Sequence, residues 1–95
     1  LLAAGARTRI AGAVIVRQRP GTANGTLFVT LEDETGMVQA IVQRALLLAH
    51  RATIVGNPGL VIGGVVQQRD GSVSLQAEKF WPLSDLVETP SHDFH

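Results

Sequence analysis

The sequence predicts an all-β protein, a five-stranded Greek-key barrel with one short helix between strands 3 and 4, and three observations carry that prediction. Five segments read as strands, the second alternating apolar and polar residues cleanly at period two, one Ala- and Leu-rich segment falls between the third and fourth of them, and turn-forming residues separate the rest. Ninety-five residues make one domain, too few for two cores. With 45% hydrophobic residues against 17% charged, the chain has enough apolar surface to fold, which excludes a disordered chain.

Leu1 to Ala6 read as the end of an upstream linker, which is counted through residue 8. Arg9 to Arg17 form the first strand, with Ile10, Val14 and Val16 expected on one face at period two. Gly12 falls on that face, where a missing side chain lets the strand bend or another backbone approach closely. Gln18 to Gly25 are a loop, because Pro20-Gly21 breaks the ladder and Asn24-Gly25 is a turn dipeptide. Thr26 to Glu32 alternate with Leu27, Val29 and Leu31 inward and Phe28, Thr30 and Glu32 outward. Asp33 to Gly36 supply the turn, and Met37 to Gln43 resume with Val38, Ala40 and Val42 inward. Arg44 to Ile54 are the one segment of helical composition, ended by Gly56-Asn57-Pro58-Gly59. Leu60 to Gln68 and Ser72 to Phe80 form a second hairpin through an Asp70-Gly71 turn. From Trp81 an irregular tail is expected. Strand, strand, strand, helix, strand, strand is the order of an OB-fold, with an SH3-like barrel as the competitor, and the OB-fold domain is placed at residues 9–83 with a tail at 84–95.

Cysteine is absent, which excludes disulfide stapling, thiolate chemistry and Cys-based zinc fingers and fits a cytoplasmic chain. No apolar run reaches the ~20 residues of a membrane span, so no membrane partner is expected. Leu1 in first place, with Met37 the sole methionine, reads as a piece of something longer. Net charge is zero, yet residues 1–30 hold Arg7, Arg9, Arg17 and Arg19 and no acid, while residues 31–95 hold all eight acids against four bases. Arg supplies seven of the eight bases, and its planar fork suits phosphate.

Catalysis finds little support. Ser91, His92 and Asp93 are neighbours on a tail, whereas a triad is assembled from separated positions, so no catalytic residue is assigned. His50, His92 and His95 are too scattered for a metal, and Glu32-Asp33-Glu34 read as a solvated turn, so neither metal nor cofactor is expected. Binding does better. Phe28, Thr30 and Gln39, with Ile41 beside them, lie outward on strands 2 and 3, where an OB-fold takes oligonucleotides or oligosaccharides. Arg17 and Arg19 enter the adjoining loop, and Arg9 with Arg7 extends the basic stretch. An aromatic beside arginines suits a single strand, the ring for base stacking and the arginines for phosphate, while the bland role of Phe28 is packing and that of Trp81 is an anchor.

The run Arg-Ile-Ala-Gly-Ala-Val-Ile-Val-Arg-Gln-Arg-Pro-Gly-Thr-Ala-Asn-Gly (9–25), followed by Phe-Val-Thr-Leu-Glu-Asp-Glu-Thr-Gly (28–36), resembles the OB domain near the C-terminus of bacterial error-prone C-family DNA polymerases, relatives of the polymerase III alpha subunit. Pro90-Ser91-His92-Asp93-Phe94-His95 resembles the ending of that branch, with His92 in place of its usual Arg. Val42-Gln43 stands where the family commonly has Val-Trp. The resemblance implies a non-catalytic domain of a translesion DNA polymerase. It would bind single-stranded template DNA, have the remainder of the polymerase chain and polymerase accessory proteins as partners, and have no polymerase activity of its own. Two alternatives stay open: a protein-interaction module using Met37, Ile41 and an apolar helix surface, and an anticodon-type RNA-binding domain, which the same barrel could serve.

Overall fold

The computed structural model describes residues 4–19, 25–69 and 71–86. The loop expected at Pro20 to Asn24, the turn residue Asp70, and the tail from residue 87, with Ser91, His92, Asp93 and His95, lie outside the described residues. Five strands, β1 (Arg7–Gln18), β2 (Leu27–Asp33), β3 (Gly36–Val42), β4 (Gly59–Arg69) and β5 (Ser72–Pro82), close into a barrel in the order β1-β2-β3-β5-β4. Every neighbouring pair is antiparallel except β3 with β5, which run parallel and are registered at Gln39↔Ser74, Ala40↔Leu75 and Ile41↔Gln76.

Alternation decides the core. Val29, Ala40, Val42, Leu60 and Ile62 are wholly buried, and Leu27 and Leu31 nearly so. Fully burying an aliphatic side chain contributes about 1.5–3 kcal/mol, so the alternating β2 and β3 segments and the continuously buried start of β4 fix the barrel's inside.

β1 serves two neighbours. Arg7 to Ala13 pair with β4 and Ala13 to Gln18 with β2, so the strand bends near Ala13. Gly12 sits at that bend with its missing side chain against the Glu32 carbonyl oxygen, as the sequence predicted. The expected face of Val16 is overturned. Val14 pairs with Leu31 but Val16 with Thr30, so Ile15 is an extra residue in β1, a bulge that reverses the strand's parity beyond it. Val16 therefore points outward with Thr30, and Arg17 takes the inward side with Val29.

The expected single helix is two: α1 (Arg44–Ala49) and α2 (Arg51–Gly56). The backbone leaves the helical region at His50 (φ −123°, ψ 24°), whose ring lies tilted against Phe80 at 5.4 Å. Six-residue helices are not stable alone, and no side chain caps the N-terminus of either one, although the Asn57 side-chain amide donates to the Thr53 carbonyl at 2.8 Å at the C-terminal end of α2. Both persist because Leu47 of α1 and Ile54 of α2 are buried in the barrel core. The tail expected from Trp81 is ordered at its start: Trp81 and Pro82 extend β5 opposite Val61 and Leu60, and a four-residue α3 (Leu83–Leu86) follows. None of the described helices is long and apolar enough to cross a membrane.

Candidate nucleic-acid interface

The sheet registers bring the outward residues of four strands into two rows. One row runs Val16, Thr30, Gln39, Ser74; the next runs Gln18, Phe28, Ile41, Gln76. Directly opposed residues share a face, so these eight side chains make one surface. A groove of about 520 Å3 lies on it, lined by Phe28, Thr30, Gln39, Ile41, Met37 and Val73 among others. Phe28 and Ile41 are half-buried, while Met37 is 64% exposed and Val73 40% exposed. The surface therefore has an apolar centre for a flat ring to stack on, with Gln18, Gln39, Ser74 and Gln76 around it to donate and accept hydrogen bonds.

Three of the six residues expected at the site, Phe28, Thr30 and Gln39, thus come together. The arginines separate. Arg19 is exposed one residue beyond β1, next to Gln18 at the end of the Phe28 row. Arg17 is turned away by the bulge: its Nε donates to the Ile54 carbonyl at 3.0 Å, and its second guanidinium nitrogen donates to the Asn57 carbonyl at 2.6 Å. It thereby satisfies backbone acceptors at the end of α2, which would otherwise have no helical partner. Arg9 lies on another wall, over the Trp81 ring at 5.0 Å. Val16, Gln18, Ser74 and Gln76 escape sequence reading, since only strand register places them beside Phe28.

The work of Arg17 gives a direct expectation. Arg17→Ala should lower stability by about 1–2 kcal/mol, in line with two charge-assisted bonds partly open to water. Arg17→Lys should recover little of it, because an ammonium cannot span both carbonyls; urea unfolding of the three chains reads the order.

The acidic turn is occupied by its own backbone. Asp33 Oδ1 accepts from both the Thr35 hydroxyl and the Thr35 amide at 2.7 Å, and those bonds hold its carboxyl below the usual carboxylate range. The hairpin tip is a self-capped turn beside the groove.

Against known proteins, residues 8–83 match a tRNA anti-codon family model described as an OB-fold nucleic acid binding domain. The error-prone DNA polymerase of Caulobacter vibrioides is 46% identical over 80 residues, which are 84% of this chain and 7% of that protein. That of Mycolicibacterium paratuberculosis is 42% identical over 90 residues, 95% of this chain and 8% of that protein. The chain thus spans less than a tenth of the length of these relatives. Among solved structures, asparaginyl-tRNA synthetase from Pyrococcus horikoshii, complexed with asparaginyl-adenylate, superposes with a TM-score of 0.69 at 26% identity, covering 92% of this chain and 21% of that one.

Proposed function

The chain belongs to the family of OB-fold nucleic acid binding domains, and from that premise we propose that it binds single-stranded template DNA as a non-catalytic domain of an error-prone DNA polymerase. The observation that carries this reading is the row Gln18, Phe28, Ile41, Gln76, an aromatic and apolar strip set between amides on an open barrel face. Bases stack on Phe28, Thr30 and Gln39 hydrogen-bond base edges or sugars, and Arg19 meets phosphate where the strand passes β1. Arg17 acts at one remove, by fixing the end of β1 to α2. Affinity for such a strip is sequence-tolerant, because every base has a face to stack. That tolerance suits a polymerase that copies damaged template in the cytoplasm, with the rest of its chain supplying the chemistry and accessory proteins as further partners.

The test is fluorescence anisotropy of labelled oligo-dT titrated with the 95-residue chain. Phe28→Ala should weaken binding by roughly 5- to 150-fold, the ~1–3 kcal/mol of one stacked base. Unchanged affinity would remove Phe28 from the site. The matching RNA belongs in the same experiment, because the likeness to asparaginyl-tRNA synthetase favours a second reading, an anticodon-type RNA-binding domain. Tighter binding of RNA than of DNA would select that reading through the 2′-hydroxyl.

A further inference from the structure

A second wall of the barrel carries its own cleft, of about 420 Å3, bordered by Arg7, Arg9, Lys79 and Trp81 over a floor that includes Gly63 and Gly64. Arg9, Gly63 and Lys79 are in direct register across β1, β4 and β5. Two cationic residues thus flank a position without a side chain, their backbones about 10 Å apart across two strand spacings. A Cβ on Gly63 would sit in ordinary contact, 3.4 Å from the Trp81 ring and 3.6 Å from Arg9 Cγ, so Trp81 and the Arg9 stem close over the buried glycine as the cleft's floor. The Arg9 guanidinium carbon lies 5.0 Å from the centroid of the Trp81 ring, a cation–π contact, and among the described residues its N–H donors make no hydrogen bond. The cleft's one lining acid, Glu78, is engaged by a two-pronged bond from Arg7, both contacts at 3.3 Å, which leaves the lining with an excess of positive charge. Among the described residues Arg9 and Lys79 have no carboxylate partner. Like charges that line one cleft repel, and an anion seated in it relieves the repulsion.

We propose that this wall is a second contact for the same single strand, with successive phosphates seated between Arg9 and Lys79 as the strand leaves the Phe28 face. The inference rests on the single-strand reading above. β1 joins the two surfaces: Gln18 belongs to the Phe28 row and Arg9 to this cleft, at most about 30 Å apart along the strand. A ligand with evenly repeated charges can reach both, which favours a nucleic acid over an acidic peptide. The upper part of the ~4–16 nucleotides that an OB-fold occupies covers that path.

Two lengths of labelled oligo-dT, about 6 and about 16 nucleotides, separate the surfaces when titrated with the 95-residue chain over a range of salt. The longer one should bind the unaltered chain with a steeper dependence of log K on log salt. In Arg9→Ala/Lys79→Ala that slope should fall by about 1.4, and in Lys79→Ala alone by about 0.7, at ~0.7 per phosphate contact on a single strand. Lys79→Ala guards against a fold effect, since removing Arg9 also uncovers Trp81. Equal slopes for the two lengths in the unaltered chain, or unchanged slopes in both variants, overturn the proposal and return the wall to an acidic protein partner. Phe28→Ala on the shorter oligonucleotide tests the first face separately, so the failure of one surface is not mistaken for the failure of the other.

Discussion

Gly64→Ala should destabilise the barrel by about 3 kcal/mol or more, at the upper end of what overpacking costs. For a chain of this length that is a fall in Tm of more than about 12 °C. A Cβ at residue 64 would strike the Gln76 carbonyl oxygen, with the Gln76 carbonyl carbon at 2.9 Å and the Ala77 Cα at 3.1 Å. All three are backbone atoms of β5, the strand that β4 pairs with along its length, so no side chain can swing aside to make room. Relief requires the two strands to part, and they are joined next to the shift in register between Gly63 and Gly64, where Glu78 is the unmatched residue. Gly56→Ala is the control: it makes the same chemical change at the end of α2, where a Cβ meets nothing within 4 Å. It should lie within about 0.5 kcal/mol of the parent chain. Differential scanning calorimetry of the two variants checks the contrast.

Ile54→Ala should cost about 2–5 kcal/mol, the range for truncating a large buried aliphatic side chain. Ile54 is the one buried residue of α2 and is wholly enclosed, so its loss leaves a cavity at the mouth of the core. The helix has only six residues and no side-chain cap at its N-terminus, so it has little stability of its own with which to hold position. The Ile54 carbonyl is also the acceptor for Arg17, so undocking α2 releases the end of β1 with it. The effects of Ile54→Ala and Arg17→Ala should therefore fall short of their sum when combined, as expected for residues that share a partner. Urea titration reads both quantities. A shift in midpoint at constant m marks a simple loss of stability, and a changed m marks a looser native or denatured state.

The barrel was legible wherever one strand's own pattern sufficed. Leu27, Val29 and Leu31 alternate without interruption, so their burial and the outward placing of Phe28 and Thr30 followed from residues 27–31 alone. The close approach at Gly12 was legible too, because a glycine on the apolar face of a strand has few other uses. What escaped depends on a second strand. The bulge at Ile15 carries no glycine or other local mark; it exists only as a mismatch between β1 and β2, and it exchanges the sides of Val16 and Arg17. Arg17 accordingly read as a loop cation, whereas its guanidinium meets carbonyls 37 and 40 residues away. The break at His50 is hidden by Leu46 to Ala49 before it and Arg51-Ala52 after it, since propensity sums over a window and does not register a ring packed against Phe80. Trp81 reads from the sequence as the start of a tail because Pro82 follows it, yet it is paired with Val61.

The parallel join of β3 to β5 spans three residue pairs, against ten for β4 with β5, so the circuit of strands has one short seam. A closed sheet yields first where the fewest bonds must break together, and local opening there costs less than global unfolding. The seam's outward residues, Gln39, Ile41, Ser74 and Gln76, belong to the same surface as Phe28. A chain of bases laid across that surface bridges both lips of the seam, so occupancy acts as a clasp and binding energy becomes resistance to opening. On the single-strand reading proposed above, recognition and closure of this barrel would be one equilibrium, with the bound strand holding the seam shut.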